Sequence, residues 1–128
     1  MAVTRQFSVF LENAPGHLAK LTRSIADAGV NLLAISIPPS AEHGIIRIVT
    51  EDPDATRSVL SETGHAFSET DVLLIELENK VGALAEAAEK LAAERINVEY
   101  AYCSVSKGGT GTAAIFKVSD LEKASAIL

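Results

Sequence analysis

Glu12-Asn13-Ala14-Pro15-Gly16-His17-Leu18-Ala19 lies over Glu78-Asn79-Lys80-Val81-Gly82-Ala83-Leu84-Ala85 when the chain is slid against itself from position 12 to position 78, an offset of 66. The match extends outward on both sides. Leu11 falls on Leu77, Ala26 on Ala92, Asn31 on Asn97, and Ile25 on the similar Leu91. Further along, a lengthening by two residues sets Asp52 opposite Asp120. A tandem repeat with one insertion accounts for a correspondence that chance similarity would lose sooner.

In the first copy, residues 6–11 alternate, with Phe7, Val9 and Leu11 on one side, which is the period of a half-buried strand. Pro15 suits the first turn of a helix that Asn13 can cap, and Leu18, Leu21, Thr22, Ile25 and Ala28 follow at three- and four-residue spacing. Gly29 is its stop. Residues 32–37 read as a largely buried strand ended by Pro38-Pro39, residues 40–44 as a hairpin loop and residues 45–50 as a third strand. Asp52-Pro53-Asp54 opens a second helix carrying Ala55, Val59 and Leu60, which Gly64 closes. Residues 65–70 then run without punctuation into residues 72–77, so that the last strand of copy one and the first of copy two can form one bent ribbon.

Copy two repeats the plan. A helix over residues 82–94 turns Leu84, Ala87, Ala88 and Leu91 inward, followed by strands at 98–105 and 112–118 around Gly108-Gly109-Thr110-Gly111, and by a helix from Asp120. No further strand follows before Leu128, so this half reads as βαββα where the first reads as βαββαβ. The expected class is α+β, a ferredoxin-like unit in tandem with antiparallel sheets and helices on one face, divided into residues 1–70 and 71–128. Halves of this size are marginal alone, so they are expected to share one body. The absent strand is expected to leave an edge near residues 72–77 that a second chain covers as a homodimer.

Composition narrows the function. With 48% hydrophobic, 22% charged and 5% aromatic residues, the 128-residue chain is an ordinary globular sequence with an aliphatic core. Its formal charge of -6 repels a phosphate backbone, and no basic run offsets it, so nucleic acid is a poor partner. No apolar run is long enough to span a bilayer, and the N-terminus has no secretory pattern, so the cytoplasm is expected and no membrane partner. The single cysteine, Cys103, forms no internal disulfide and has no metal-spaced neighbours. His17, His43 and His65 share no repeat position and no triad-like surroundings, so no catalytic residue, no metal site and no cofactor is expected. The glycine-rich stretch sits between strands and reads as a hairpin rather than a phosphate cradle.

What repeats is the turn between the first strand and first helix of each copy. A helix N-terminus offers backbone N–H groups and the positive end of a dipole, which suits a carboxylate, and glycine permits close approach. The Asn side chain there can cap the helix or contact a bound group, and both readings stand. Tyr100 and Tyr102 share one face of their strand and read as packing residues before ligand contacts.

The pattern Glu-Asn-x-Pro-Gly-x-Leu-Ala-x-Leu over residues 12–21, followed by Ala-x-Ala-Gly-Val-Asn over residues 26–31, resembles the opening of ACT domains. The resemblance covers nearly the whole chain and is close to small tandem ACT proteins. The first 60 or so residues also resemble the regulatory subunit of acetolactate synthase. It implies a ferredoxin-like fold and a non-catalytic regulatory protein binding a free amino acid against these turns in paired domains. Carried over by position, Asn13, Pro15, Gly16, His17, Leu18 and Asn31 would form one site, and Asn79, Gly82, Ala83, Leu84 and Asn97 the other. Val81 and Ala83 replace Pro15 and His17 in the second, which makes the first the better site. The alternative is a ligand-independent interaction module that regulates a metabolic enzyme in trans.

Overall fold

A computed structural model describes residues 2–39, 44–104 and 107–128; the expected hairpin loop, over residues 40–43, and the expected strand end at residue 105 lie outside the described residues. The chain divides into two units, Arg5–Thr70 and Asp71–Leu128, the latter joined by residues 2–4.

The first unit contains β1 (Ala2–Leu11) from Arg5 onward, α1 (His17–Asp27), β2 (Leu32–Ser36), β3 (Gly44–Thr50), α2 (Pro53–Glu62) and the start of β4 (Ala66–Glu78). Its strands lie in the order β2-β3-β1-β4, the ferredoxin-like arrangement in which sequential strands are separated by crossovers. Antiparallel pairing sets Phe7 opposite Ile48, Val9 opposite Ile46 and Leu11 opposite Gly44. One face therefore carries an unbroken apolar stripe, on which Leu21 and Ile25 of α1 and Val59 and Leu60 of α2 close the core, with Phe67 tilted against Phe7.

Two expectations change here. Leu18 and Ala28 were placed on the buried face of α1, but both are exposed, and the helix buries only Leu21 and Ile25. The helix begins at His17, later than Pro15 suggests, so Leu18 sits in its first turn at the margin of the sheet. The strand over residues 32–37 was expected to be largely buried, but β2 alternates, with Leu33, Ile35 and Ile37 all more than a third exposed. It ends the strand order, and a shift of register between Leu32 and Ala34 re-aims the residues that follow.

The cap of α2 is as read: the Asp52 carboxylate accepts from the Ala55 N–H at 3.0 Å, with Pro53 in the first turn. Below it, the buried hydroxyls of Thr50 and Thr56 bond at 2.7 Å, and Thr56 Oγ1 donates to the Asp52 carbonyl at 2.8 Å. At the other sheet margin, Arg57 of α2 donates Nε and Nη2 to the two oxygens of Glu69 at 2.9 and 2.6 Å, and Arg5 of β1 reaches the same carboxylate at 3.3 Å. Glu69 thus ties β4 to both a helix and a strand. The hydrogen bonds from Arg57 hold its carboxyl below the ordinary value.

The second unit contains the remainder of β4, α3 (Ala83–Ala93), β5 (Val98–Tyr102), β6 (Gly111–Val118) and α4 (Leu121–Ile127). Its order is β5-β6-β4. Leu73, Ile75, Leu91, Ile96, Ala114 and Phe116 stand where Phe7, Val9, Ile25, Val30, Ile46 and Ile48 stand in the first. Asp120 caps α4 by accepting from the Lys123 N–H at 3.0 Å. Ala87 and Leu91 face inward as expected, whereas Leu84 and Ala88 are exposed: α3, like α1, buries only a narrow stripe. Tyr100 and Tyr102 pair with Lys117 and Ile115, outside the apolar cluster. The edge expected to lie open near residues 72–77 is not left bare: β1 is a hydrogen-bonded neighbour of β4, and residues 2–4 belong to this unit. The chain's own beginning takes part of the place assigned to a second molecule.

The repeat also exposes one strained position. α1 ends through Gly29 at φ 76, with the Val30 N–H returning to the Ile25 carbonyl at 3.2 Å. The equivalent bond in α3 runs from Ile96 to Leu91 at 2.9 Å, but the left-handed position is held by Arg95 at φ 56. An L side chain pays a steric penalty there that glycine avoids. Arg95→Gly is accordingly expected to stabilise the chain by up to about 1 kcal/mol in chemical denaturation; a destabilised variant would show that the Arg95 side chain outweighs the strain.

Glu69 gives a pH signature. Because its folded-state value is depressed, its contribution is complete above the ordinary carboxylate range and fades as pH falls through the folded value. Denaturation midpoints from pH 7 to pH 3 are expected to show Glu69→Gln less stable than the parent at neutral pH, with the gap closing on acidification. Parallel curves for the two proteins would remove Glu69 as the coupling group.

Candidate functional site

The β1–α1 and β4–α3 turns have the same backbone although half their side chains differ. In the first, Ala14 N–H donates to the Glu12 carbonyl at 2.9 Å, His17 N–H to that of Ala14 at 3.5 Å, and Lys20 N–H to that of Gly16 at 3.0 Å. In the second, Lys80, Ala83 and Glu86 donate to Glu78, Lys80 and Gly82 at 2.9, 3.3 and 2.9 Å. Each helix starts from a glycine in the left-handed region, Gly16 at φ 89 and Gly82 at φ 90, and neither has a side-chain cap. Asn13 therefore does not cap α1, contrary to one of its two readings, and Pro15 lies in the turn before the helix.

This distinguishes two kinds of helix start in one chain. α2 and α4 have their first-turn amides met by their own aspartates, Asp52 and Asp120. α1 and α3 have no side-chain cap: His17 and Ala83 turn their N–H groups to the Ala14 and Lys80 carbonyls, and the amides after them are left to some other acceptor.

At the first turn a hollow of about 390 Å³ opens beside the helix start. Asn13, His17 and Leu18 of the expected set line it, together with Glu12, Ala14, Leu11, Ile46, Gly44 and the segment Ile37, Pro38 and Pro39 that follows β2. His17 Nε2 lies 3.7 Å from a Glu12 carboxylate oxygen at its rim. Pro15 and Gly16 shape the turn without lining the hollow. Asn31 is elsewhere. It precedes β2, beyond the far end of an 11-residue helix that rises about 16 Å, and bonds Glu51 through Nδ2 at 3.3 Å. The hollow meets the end of β2, whereas the residue-by-residue carry-over pointed to its start.

Gly44 and the segment of residues 37–39 went unnoticed in the sequence. The signal for Gly44 lies in the repeat: a Cβ on Gly44 would stand 2.7 Å from the Leu11 carbonyl oxygen, and one on Gly111 would stand 2.8 Å from that of Leu77. Both copies require a bare backbone where the third strand meets the end of the first. At Gly16 the reverse holds, since a Cβ there would meet nothing within 4 Å. Its requirement is the positive φ, and crowding plays no part.

The second turn is occupied differently. Asn79 Nδ2 donates to the Gly109 carbonyl at 2.6 Å and Asn79 N–H to that of Thr110 at 3.0 Å, tying the turn to the glycine-rich stretch. Asn13 makes no side-chain hydrogen bond among the described residues. Lys80 stands within 4 Å of Glu78 and Glu86, and Ala83 borders a charged groove that includes them. Val81 and Leu84 are exposed, Gly82 holds the turn, and Asn97 is bonded to Ser119 through its N–H and its carbonyl, both at 2.9 Å. Asn97, like Asn31, stands apart from its turn.

Other chemistry finds little footing. Among the described residues no three His, Cys, Asp or Glu side chains gather as metal ligands, and no helix is long and apolar enough to cross a membrane. His65 is engaged with Thr63 at 2.7 Å, away from His17, and His43 lies outside the described residues.

A model of the family described as an ACT domain pair matches residues 1–128. The crystal structure of protein BT0572 from Bacteroides thetaiotaomicron is 33% identical, covering 98% of this chain and 86% of that one at a TM-score of 0.88. The fold is also similar to the ligand-free regulatory subunit of aspartate kinase from Thermus thermophilus (16% identical, 100% and 93% covered, TM-score 0.69) and to that from Thermus flavus (19%, 98% and 87%, 0.58). No match was found among curated proteins.

The two glycines make separable predictions. Gly16→Val is expected to cost about 1–2 kcal/mol through the left-handed backbone, and Gly44→Ala to shift the turn against Leu11 and Asn13. Urea denaturation with amide chemical shifts checks both: for Gly44→Ala, changes over residues 11–18 are expected in addition to those at the substituted residue and its chain neighbours, and changes at the substitution alone would show that the contact yields freely.

Proposed function

The chain belongs to the ACT domain pair family, and from that premise we propose that it is a non-catalytic regulatory protein whose β1–α1 turn binds a free amino acid. Its two units would be the two ACT domains, residues 1–70 and 71–128. The observation that carries this reading is the contrast among helix starts. Where the chain has its own carboxylate, at Asp52 and Asp120, that carboxylate meets the first-turn amides. At α1 those amides have no side-chain cap and border an open hollow of about 390 Å³, in the size range of small-ligand sites. An external carboxylate would complete the pattern, favoured by the dipole as the aspartates are. Asn13 and Glu12 line the same hollow, and the amide oxygen and carboxylate would serve an ammonium group on that ligand.

The second turn would be a weaker site, since Asn79 already serves Gly109 and the groove at Ala83 is lined by paired charges. Exposed Val81 and Leu84 at that turn favour a second role there, contact with an enzyme regulated in trans, in keeping with the regulatory subunits of aspartate kinase that share the fold. Such a protein would act in the cytoplasm.

Thermal unfolding with each of the twenty amino acids tests the proposal. At a hundredfold its dissociation constant, a ligand stabilises by about 2.7 kcal/mol, a rise of several degrees in Tm for a chain of this size. At least one amino acid is expected to give it. A flat profile across all twenty would favour the interaction role without a ligand.

A further inference from the structure

We infer that the amino acid taken at the first turn is one with an apolar side chain. The inference rests on the proposed amino-acid site and goes beyond it by reading the wall opposite the helix start. Three chemistries meet around the hollow in distinct places. The α1 amides after His17, which no side chain caps, are the N–H donors that suit the ligand carboxylate. Glu12 offers the acidic group for the ammonium. Apart from Asn13 and His17 on the turn side, the rest of the described wall is hydrocarbon: Leu18 from the helix, Ile46 from β3, and Ile37, Pro38 and Pro39 from the segment after β2.

That wall is partly unburied. Leu18 is 40% and Ile37 is 53% exposed, on the helix and on the strand end that flank the same hollow. Two large aliphatic residues from separate elements therefore leave apolar surface toward one cavity, where an apolar side chain would cover it. Among the described lining residues there is no lysine or arginine to meet an acidic side chain, and the one carboxylate, Glu12, is needed for the ammonium. An amide or hydroxyl side chain directed at Ile37 and Pro38 would give up its water without a partner. A hydrocarbon side chain loses nothing on entering.

The experiment is calorimetric titration of the full chain with L-leucine, L-valine, L-isoleucine and L-methionine against L-aspartate, L-lysine, L-glutamine and glycine. One of the first four is expected to bind at least about tenfold more tightly than any of the second set. Ile37→Asn, which adds no charge, is expected to weaken that ligand by about tenfold or more, and by more than it weakens glycine, which has no side chain to meet that wall. Ile37 is half exposed, so the variant should fold; Leu18→Asn supplies a second change on the opposite flank with the same expectation. Tightest binding by aspartate, lysine or glutamine would overturn the apolar assignment while keeping the amino-acid site. An apolar ligand indifferent to both variants would overturn it too, by placing the side chain elsewhere. Binding by none of the eight would overturn the apolar assignment, and only a flat thermal profile across all twenty would overturn the site itself.

Discussion

Gly16 and Gly82 hold the backbone at an angle that L side chains avoid, and the direction of every element that follows in each copy is set there. A left-handed residue before the first helical turn swings α1 and α3 back across their sheets, so that Leu21 and Ile25, or Ala87 and Leu91, land on the strand just completed. The same geometry excludes the usual arrangement in which an extended Ser or Asp caps the helix through its own side chain. A single dihedral thus places the core and leaves the amides open. Packing and ligand chemistry are inseparable at this position.

The second helix of each copy acts as an internal control. α2 and α4 begin from aspartates in an extended conformation at φ near -131 and -137, with the carboxylate turned onto the amides. These starts are closed, self-sufficient and far less adaptable. The fold therefore contains two solutions to one electrostatic problem, and divergence between the copies has been tolerated at the open turns in side chains (Pro15 to Val81, His17 to Ala83) while the backbone stayed fixed. What differs between the open turns is their surroundings: a hydrocarbon wall in one, and in the other an asparagine engaged with a neighbouring strand end among paired charges.

Much of this was legible in the sequence because it depends on local pattern. Alternation over residues 6–11, the glycine stops at Gly29 and Gly64, and the Asp-capped helices are properties of a few adjacent residues, and each lies where periodicity and capping chemistry put it. The start of α1 was misread because Pro15 is as content in a turn as in a first helical turn, and only the torsion at Gly16 decides between them. Leu18, Leu84 and Ala88 were misread because helical spacing marks a face wider than the stripe that meets the sheet, where α1 buries only Leu21 and Ile25 and α3 only Ala87 and Leu91. The far wall of the hollow was illegible for another reason. Ile37 and Pro38 join Leu18 across a register shift in β2, and no repeat or spacing records that meeting. Asn31 and Asn97 lie away from their turns for a related reason: they are sequence neighbours of the motif that the helix length carries to its other end.

Thr50 and Thr56 form a buried hydroxyl pair in the first copy; the equivalent places in the second hold Val118 and Ala124. Two similar halves in one chain carry a hazard of folding, in which a strand or helix docks on the wrong copy. Here the copies are not interchangeable. The Ala124 helix docked against Thr50 would bury a hydroxyl deprived of its hydroxyl partner, at a cost of about 1–3 kcal/mol, whereas Thr56 carries its bond to the Asp52 carbonyl with it. One polar bond hidden in one core thereby gives the two halves of a duplicated chain a means of telling their own parts from each other's.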